Sequence, residues 1–365
     1  MSKREFKAIR FEGTDDKAFG IDVRKRVDEY FKSNNISRHG DYRSWIKVVL
    51  LPLLYLTPFV LLLLNVFGES TLLYFGLWIL MGVGLAGIGL GIMHDACHGA
   101  LSKNLKVNDI VGSVLNIIGG YMLNWKIQHN VLHHTYTNID DLDEDIDPSG
   151  VMRFSPNKPL KPMYKYQVYY AWFFYGLMTL IWATFKDFVQ LNRYNKFGLV
   201  AAQGKKYKVE LARIIAQKII YYSIFLVLPL IFIEAPVWLI IVGWLTQHFV
   251  AGLILALVFQ PAHCIPEAEF PVPDENNVVK ADWAAHQMRN TANFAPTNWL
   301  LSWYVGGLNF QVEHHLFPSM SHVHHKEVSK IVKATALEHG LPYYSEPTFF
   351  GAIVNHVKML KKLSK

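Results

Sequence analysis

Four long apolar runs decide most of what this chain can become: residues 45–67, 72–93, 214–233 and 237–259. A helix rising 1.5 Å per residue needs about 20 residues to cross a hydrocarbon core ~30 Å thick, and each run supplies them. Gly68-Glu69-Ser70-Thr71 separates the first two runs and Glu234-Ala235-Pro236 the last two, so they read as two tight hairpins. Neither turn contains Lys or Arg, whereas the N-terminal arm and residues 94–211 hold many. The positive-inside rule then places both turns outside and both termini in the cytoplasm. In that arrangement the second and fourth runs end at the cytoplasmic surface, at His94 and at Gln260-Pro261-Ala262-His263.

The remaining composition agrees with a membrane protein. Only 18% of the 365 residues are charged, against about 25% in soluble domains. The formal net charge is +7, but the basic residues flank the apolar runs and gather on no recognisable module. Anionic lipid headgroups are therefore the expected partners, and nucleic acid is not. The polar N-terminus lacks the apolar core of a secretory signal, so insertion rests on the internal runs. Cys97 and Cys264 make neither a disulfide framework nor a cysteine-rich zinc site and read as reduced packing residues. Residues 1–44 read as a cytoplasmic arm, with a helix near 21–31 capped by Asp15 or Asp22. Two further apolar stretches, 111–123 and 169–185, read as interfacial pieces. The acidic run 140–147 reads as a solvated loop, with carboxylates that orient imidazoles as the lesser reading.

Histidine is concentrated in three places: His94-Asp-Ala-Cys-His98, His129-Asn-Val-Leu-His133-His134, and Gln311-Val-Glu-His314-His315. On a helix, residues four apart share a face, and His134 falls about 100° round from His133. The topology above puts all seven imidazoles on one side of the membrane. Neutral imidazole is available near pH 7 and suits Zn, Cu, Fe and Ni. A hydrolytic zinc site uses three protein ligands and an open position, which is too few for this set. A pair of iron ions, each open toward a shared oxidant, fits the count. Such a centre activates O₂ and takes hydrogen from an unactivated carbon. Its place at the membrane surface implies a substrate with a polar head in the cytoplasm and a chain in the interior.

The third cluster has only two histidines, so His263 is expected as a further ligand, brought in where Pro261 breaks the fourth helix. His286 is its rival for that role. His248 lies mid-run, about 22 Å along the helix from His263, which suits packing or contact with a substrate tunnel. His322, His324 and His325 have polar neighbours, Lys326 and Glu327 among them, and are left outside the ligand set. His39, His339 and His356 read as surface or satisfied core residues.

The stretches HDACH (94–98), HNVLHH (129–134) and QVEHH (311–315) resemble the three histidine boxes of membrane fatty acid desaturases. Gln311, in place of the first histidine of the third box, resembles the front-end group, which includes delta-5 and delta-6 desaturases. The contexts GGLNFQVEHHLFP and HHTYTN strengthen the likeness, which covers roughly residues 45–345, the expected desaturase domain, followed by a basic tail at 346–365. The resemblance implies a non-haem di-iron centre held by His94, His98, His129, His133, His134, His314 and His315. His263 joins them, because related desaturases draw a further ligand from the end of this span. No catalytic residue is expected beyond the metal centre, and Gln311, Gln260, His286 and His248 are expected near the ligands or the substrate. The co-substrate implied is O₂ with two electrons per double bond, acting on an acyl-CoA or acyl-lipid. No His-Pro-Gly-Gly haem motif occurs in the sequence, so the donor is expected to be separate, a ferredoxin or cytochrome b5 with its reductase. The compact form resembles bacterial members, placing the protein in the cytoplasmic membrane, or in the endoplasmic reticulum of a eukaryote. The expected architecture is an all-α integral membrane fold: four transmembrane helices in two hairpins, with a cytoplasmic helical cap carrying the histidine-rich site. Competing readings are a di-iron hydroxylase, a sphingolipid desaturase or a carotenoid-oxygenating enzyme. From other classes come a four-span haem electron-transfer protein and a divalent-metal transporter, for which only Gln247 and His248 sit at mid-membrane.

Overall fold

The structure is a computed structural model that describes residues 8–13, 17–148 and 150–365. Asp15 lies outside the described residues. The chain begins with α1 (Lys17–Ser33), in whose interior Asp22 bonds Arg26, so Asp22 is not the cap that the sequence suggested. Next come α2 (Tyr42–Leu63), capped by the Asp41 side chain on Arg43 N–H, and α3 (Thr71–Cys97), capped by Ser70 on Leu73 N–H. Side-chain oxygens at these positions take up amides that a helix start leaves free. The helix α4 (residues 122–136) contains the second histidine cluster. It is followed by α5 (Pro162–Gly176) and α6 (Met178–Lys196), bent by 52° at the break between them. Then come α7 (Tyr207–Phe232), α8 (Val237–His263), α9 (Trp283–Asn290), α10 (Gln311–Leu316), α11 (His325–Glu338) and α12 (Phe349–Lys362).

Four helices, α2, α3, α7 and α8, are long and apolar enough to cross a membrane. Their ends differ from the expected ones in a way that matters for the site. The helix α3 runs on past residue 93 to Cys97, and α8 runs through Pro261 to His263. Pro261 does not break α8, because in the last turn its missing N–H deprives only one carbonyl of a partner. Glycines let these helices approach closely. A Cβ on Gly84 would lie 2.6 Å from the Tyr55 nitrogen of α2, and one on Gly82 would lie 2.7 Å from the Gln247 carbonyl oxygen of α8. Small residues at such crossings are what helix packing in lipid favours. The outward faces of α2 and α7 keep Val49, Leu53, Val60, Ile219 and Ile231 exposed.

Residues 169–185, which the sequence reads as an interfacial piece, straddle the α5–α6 break, and the bent tip packs into the bundle against α8. Gly252 of α8 meets the carbonyls of Tyr175 and Gly176, where a Cβ would lie at 2.6 and 2.7 Å. Thr179 Oγ1 donates to the His248 carbonyl at 2.8 Å. The fold is also not wholly helical. Strand β1 (Arg10–Phe11) pairs parallel with β2 (Val278–Val279), and β3 (Ala292–Phe294) pairs parallel with β4 (Tyr344–Glu346). These two short pairs tie the N-terminal arm and the C-terminal segment to the loops around α9.

Candidate metal centre

The site is built where α3 and α8 end and where α4 and α10 cross them. Two of these helices change winding at the site. The helix α3 carries a π-turn over Gly89–Met93 just before His94, and α4 carries one over Ile127–His133. A π-turn bonds i to i+5 and is common at functional sites. In regular α-geometry His134 would swing away from His133. In the wider turn both stay on the side of His129, and their rings lie 5.2 and 4.7 Å from its ring. All three imidazoles of the second cluster therefore enter one site.

Two groups of ring nitrogens result. His94, His98, His129 and His314 bring theirs within 4.8 Å of one another, and so do His133, His263 and His315. His134 sits between the groups, its ring 4.6 Å from that of His314 and 4.4 Å from that of His315. Thus every histidine expected as a ligand reaches this one place, from four separate parts of the chain. Nε2 of His98, His133, His263, His314 and His315, with Nδ1 of His134, are buried and have no hydrogen-bond partner among the described residues. Nε2 of His129 lies 3.0 Å from Nε2 of His94 and 3.2 Å from Nε2 of His134. Buried lone pairs without partners are costly. A cation shared by converging imidazoles removes that cost, so this donor set fits a pair of nitrogen-preferring metal ions.

The outer nitrogens of several rings are fixed by neighbours. His315 Nδ1 donates to Gln287 Oε1 at 2.8 Å, and His263 Nδ1 donates to the Asn290 carbonyl at 3.3 Å. His133 Nδ1 donates to Asp143 Oδ1 at 3.0 Å, with Asp145 at 3.4 Å. Each bond selects the tautomer whose free lone pair faces the centre. Burial holds His98, His129, His134, His314 and His315 well below the ordinary imidazole range, in the neutral form that ligates. At His133 burial works in the same direction but is outweighed by Asp143 and Asp145, which push it up to about 9. The same carboxylates attract a metal cation.

The acidic run 140–147 is therefore only partly a solvated loop, since Asp143 turns inward to orient a ring. Of the other expected residues, Gln311 is buried beside His263, and Gln260 donates to the Asp145 carbonyl at 3.1 Å. His286 joins neither group, and Asn290 links it to the His263 side of the site at 2.9 Å. His248 bonds Tyr221 and Thr179, deep in the bundle. Sequence reasoning missed Gln287 and Asn290, which have no signal beyond their place near His286. It also missed a buried chain behind the first box. Lys47 Nζ contacts His322 Nε2 at 2.7 Å, and His322 Nδ1 donates to Asp95 at 2.6 Å. His325, set aside for its polar neighbours, is buried with its ring 6.2 Å from that of His314.

An apolar cavity opens from His94 and His129 and descends between α3, α6 and α8, past Met93, Leu255 and Leu115 to Leu85, Met178 and Thr179. Gln128, Asp145, Gln260 and Lys186 form its polar side. A slot of hydrocarbon character that begins at a metal-type cluster suits a long apolar substrate.

Comparison with known proteins agrees with this chemistry. The chain is 33% identical over 354 residues to an sn-1 linoleoyl-lipid 6-desaturase of Arthrospira platensis, covering 95% of this chain and 92% of that one. It is 31% identical to the enzyme of the same name from Synechocystis, covering 98% and 99%. An Acyl-lipid (8-3)-desaturase of Physcomitrium patens is 32% identical, over 97% of this chain and 73% of its own. With the Fatty acid desaturase family model matching residues 69–347, the chain belongs to the fatty acid desaturase family, as an oxidoreductase of the front-end type.

Proposed function

We propose that the protein is an O₂-dependent desaturase that places a cis double bond in a lipid-linked acyl chain at a non-haem di-iron centre. The observation that carries this is the convergence of eight imidazoles, six with buried unpartnered nitrogens, at the head of an apolar cavity. One ion is held by His94, His98, His129 and His314, the other by His133, His263 and His315, with His134 between them. When bound, the iron pair supplies the activation of O₂ and the removal of hydrogen. The balanced reaction turns –CH₂–CH₂–, O₂, two electrons and two protons into –CH=CH– and two waters.

The chain's own residues do the rest. Leu85, Met93, Met178 and Leu255 hold the acyl chain by burial and keep water from it. Gln287, Asn290 and Asp143 keep the ligand rings aimed. The relatives' names, linoleoyl-lipid and acyl-lipid, favour a lipid-linked substrate over acyl-CoA. The spans form two hairpins with both termini, the histidine sites and the intervening helices on the cytoplasmic side, as the basic-free turns suggest. Electrons come from a separate ferredoxin or cytochrome b5. The test is expression in a host of defined lipid composition, with mass spectrometry locating any new double bond. A new oxygen atom in the chain, or no change in the acyl pool, overturns the proposal.

A further inference from the structure

The floor of the cavity, at Leu85, Met178 and Thr179, is backed by a buried polar cluster inside the membrane-spanning bundle, which is unusual because polar groups there are costly and rarely sit without a role. Thr179 lines the cavity, and its hydroxyl donates to the His248 carbonyl at 2.8 Å. With that proton committed, Thr179 Oγ1 accepts from His248 Nδ1–H at 3.2 Å. His248 Nε2 then accepts from the Tyr221 hydroxyl at 2.6 Å. The Tyr221 ring lies against Gly119, another cavity residue, where an added Cβ would meet it at 3.3 Å. Every polar atom of this cluster is thus paired, so its rotamers are fixed in a way that those of Met or Leu are not.

Its depth follows from two helices. Leu85, the deepest cavity residue of α3, lies nine residues before His94, or about 14 Å at 1.5 Å per residue. His248 lies eleven residues before Phe259, whose ring is 6.2 Å from that of His129, which gives about 16 Å. An extended chain advances about 1.3 Å per methylene, given ~1.5 Å carbon–carbon bonds. The space between ligand rings and floor therefore holds roughly ten to twelve carbons.

We propose that Thr179, clamped by His248 and Tyr221, is a fixed stop that limits how many carbons lie between the dehydrogenated bond and the methyl end. This rests on the desaturase reading and deepens it, by assigning chain-length selection to residues outside the metal centre. The measurement is turnover of 14-, 16-, 18- and 20-carbon acyl lipids by the full-length protein in host membranes, with the new bond located by mass spectrometry. Thr179→Leu raises the floor and is expected to cut turnover of the longest wild-type substrate at least ten-fold, about the discrimination one or two methylenes provide. It leaves chains two carbons shorter near the wild-type rate. Thr179→Ala trims the stop itself and is expected to gain activity on a chain one or two carbons longer, an outcome misfolding does not produce. If both variants keep the wild-type length profile, or lose all lengths in proportion, the stop is not there. If the wild-type protein desaturates no acyl chain, the desaturase reading itself fails.

Discussion

Replacing Gln287 by Leu isolates the contribution of ring orientation to metal binding. Gln287 is buried and Oε1 accepts from His315 Nδ1 at 2.8 Å and from Thr137 Oγ1 at 3.0 Å, while Nε2 donates to the His134 carbonyl at 3.1 Å. Two of these partners have substitutes. The Thr137 hydroxyl also donates to the His133 carbonyl at 2.7 Å, and the His134 carbonyl also accepts from Trp283 Nε1 at 3.2 Å. His315 Nδ1–H is left with only the Thr137 hydroxyl oxygen, a long contact at 3.4 Å. A buried donor stranded in this way costs about 1–3 kcal/mol. Losing the partner that aims a metal-bound imidazole typically lowers affinity 10- to 100-fold, or about 1.4–2.7 kcal/mol. The loss falls on the ion held by His133, His263 and His315, because Gln287 makes no hydrogen bond to a ring of the other group. Competition between a chelator and purified protein should thus show one ion 10- to 100-fold weaker and one unchanged. Gln287→Glu keeps the oxygen that accepts from His315 and, as the buried protonated acid, an O–H for the His134 carbonyl, and should stay within a few-fold of wild type. Two ions retained at wild-type affinity in the Leu variant, or a Glu variant as weak as the Leu one, refutes the reasoning.

Three other outcomes follow from the same geometry. His263→Ala should lose iron and desaturation together, whereas His286→Ala and His248→Ala should keep their iron in metal analysis, since neither ring reaches a ligand group. Cysteines placed at Ser70 and Glu234 should react with an impermeant reagent in intact cells, and one at Lys205 should not; labelling at Lys205 would overturn the two-hairpin arrangement. His356, buried in α12 with Nε2 accepting from Tyr175 at 2.7 Å and Nδ1 donating to Cys264 O at 2.9 Å, is pushed down to about 4 by burial. Its folded value lies below the unfolded ~6.5, so this stability is full above pH 6.5 and is lost as pH falls toward 4. The melting temperature of His356→Leu should fall less than that of wild type across that interval.

The sequence shows the spanning helices because a membrane demands long apolar runs, and it shows the ligands because imidazoles at helical spacing are rare by chance. What it hides is winding and reach. Nothing in His129-Asn-Val-Leu-His133-His134 distinguishes an α-turn from the π-turn that keeps His134 in the site, since the two differ by one hydrogen-bond step. Pro261 looks like a breaker, yet so near a helix end it deprives only one carbonyl. Asp143 sits in a run of acids that resembles a solvated loop, and only the fold turns it toward His133. His325 is followed by Lys326 and Glu327 in the sequence but is buried, because α11 presents its polar side elsewhere, and His322 is held buried by its bond to Asp95. Distance from His263 along the run points His248 to packing or tunnel contact. The floor it helps to build depends on α6 bending into the bundle, which no local pattern in residues 169–185 announces.

The central claim is tested most directly by counting and characterising iron in protein that is demonstrably turning over. Metal analysis with Mössbauer spectroscopy on active, membrane-reconstituted protein should give two iron ions per chain, magnetically coupled, with loss of both on removal by a chelator and recovery of desaturation when iron is restored. Zinc in an inactive overproduced sample does not bear on the question, because zinc competes well for nitrogen sites. A preparation that desaturates at full rate without iron, or with a single uncoupled ion per chain, contradicts the account.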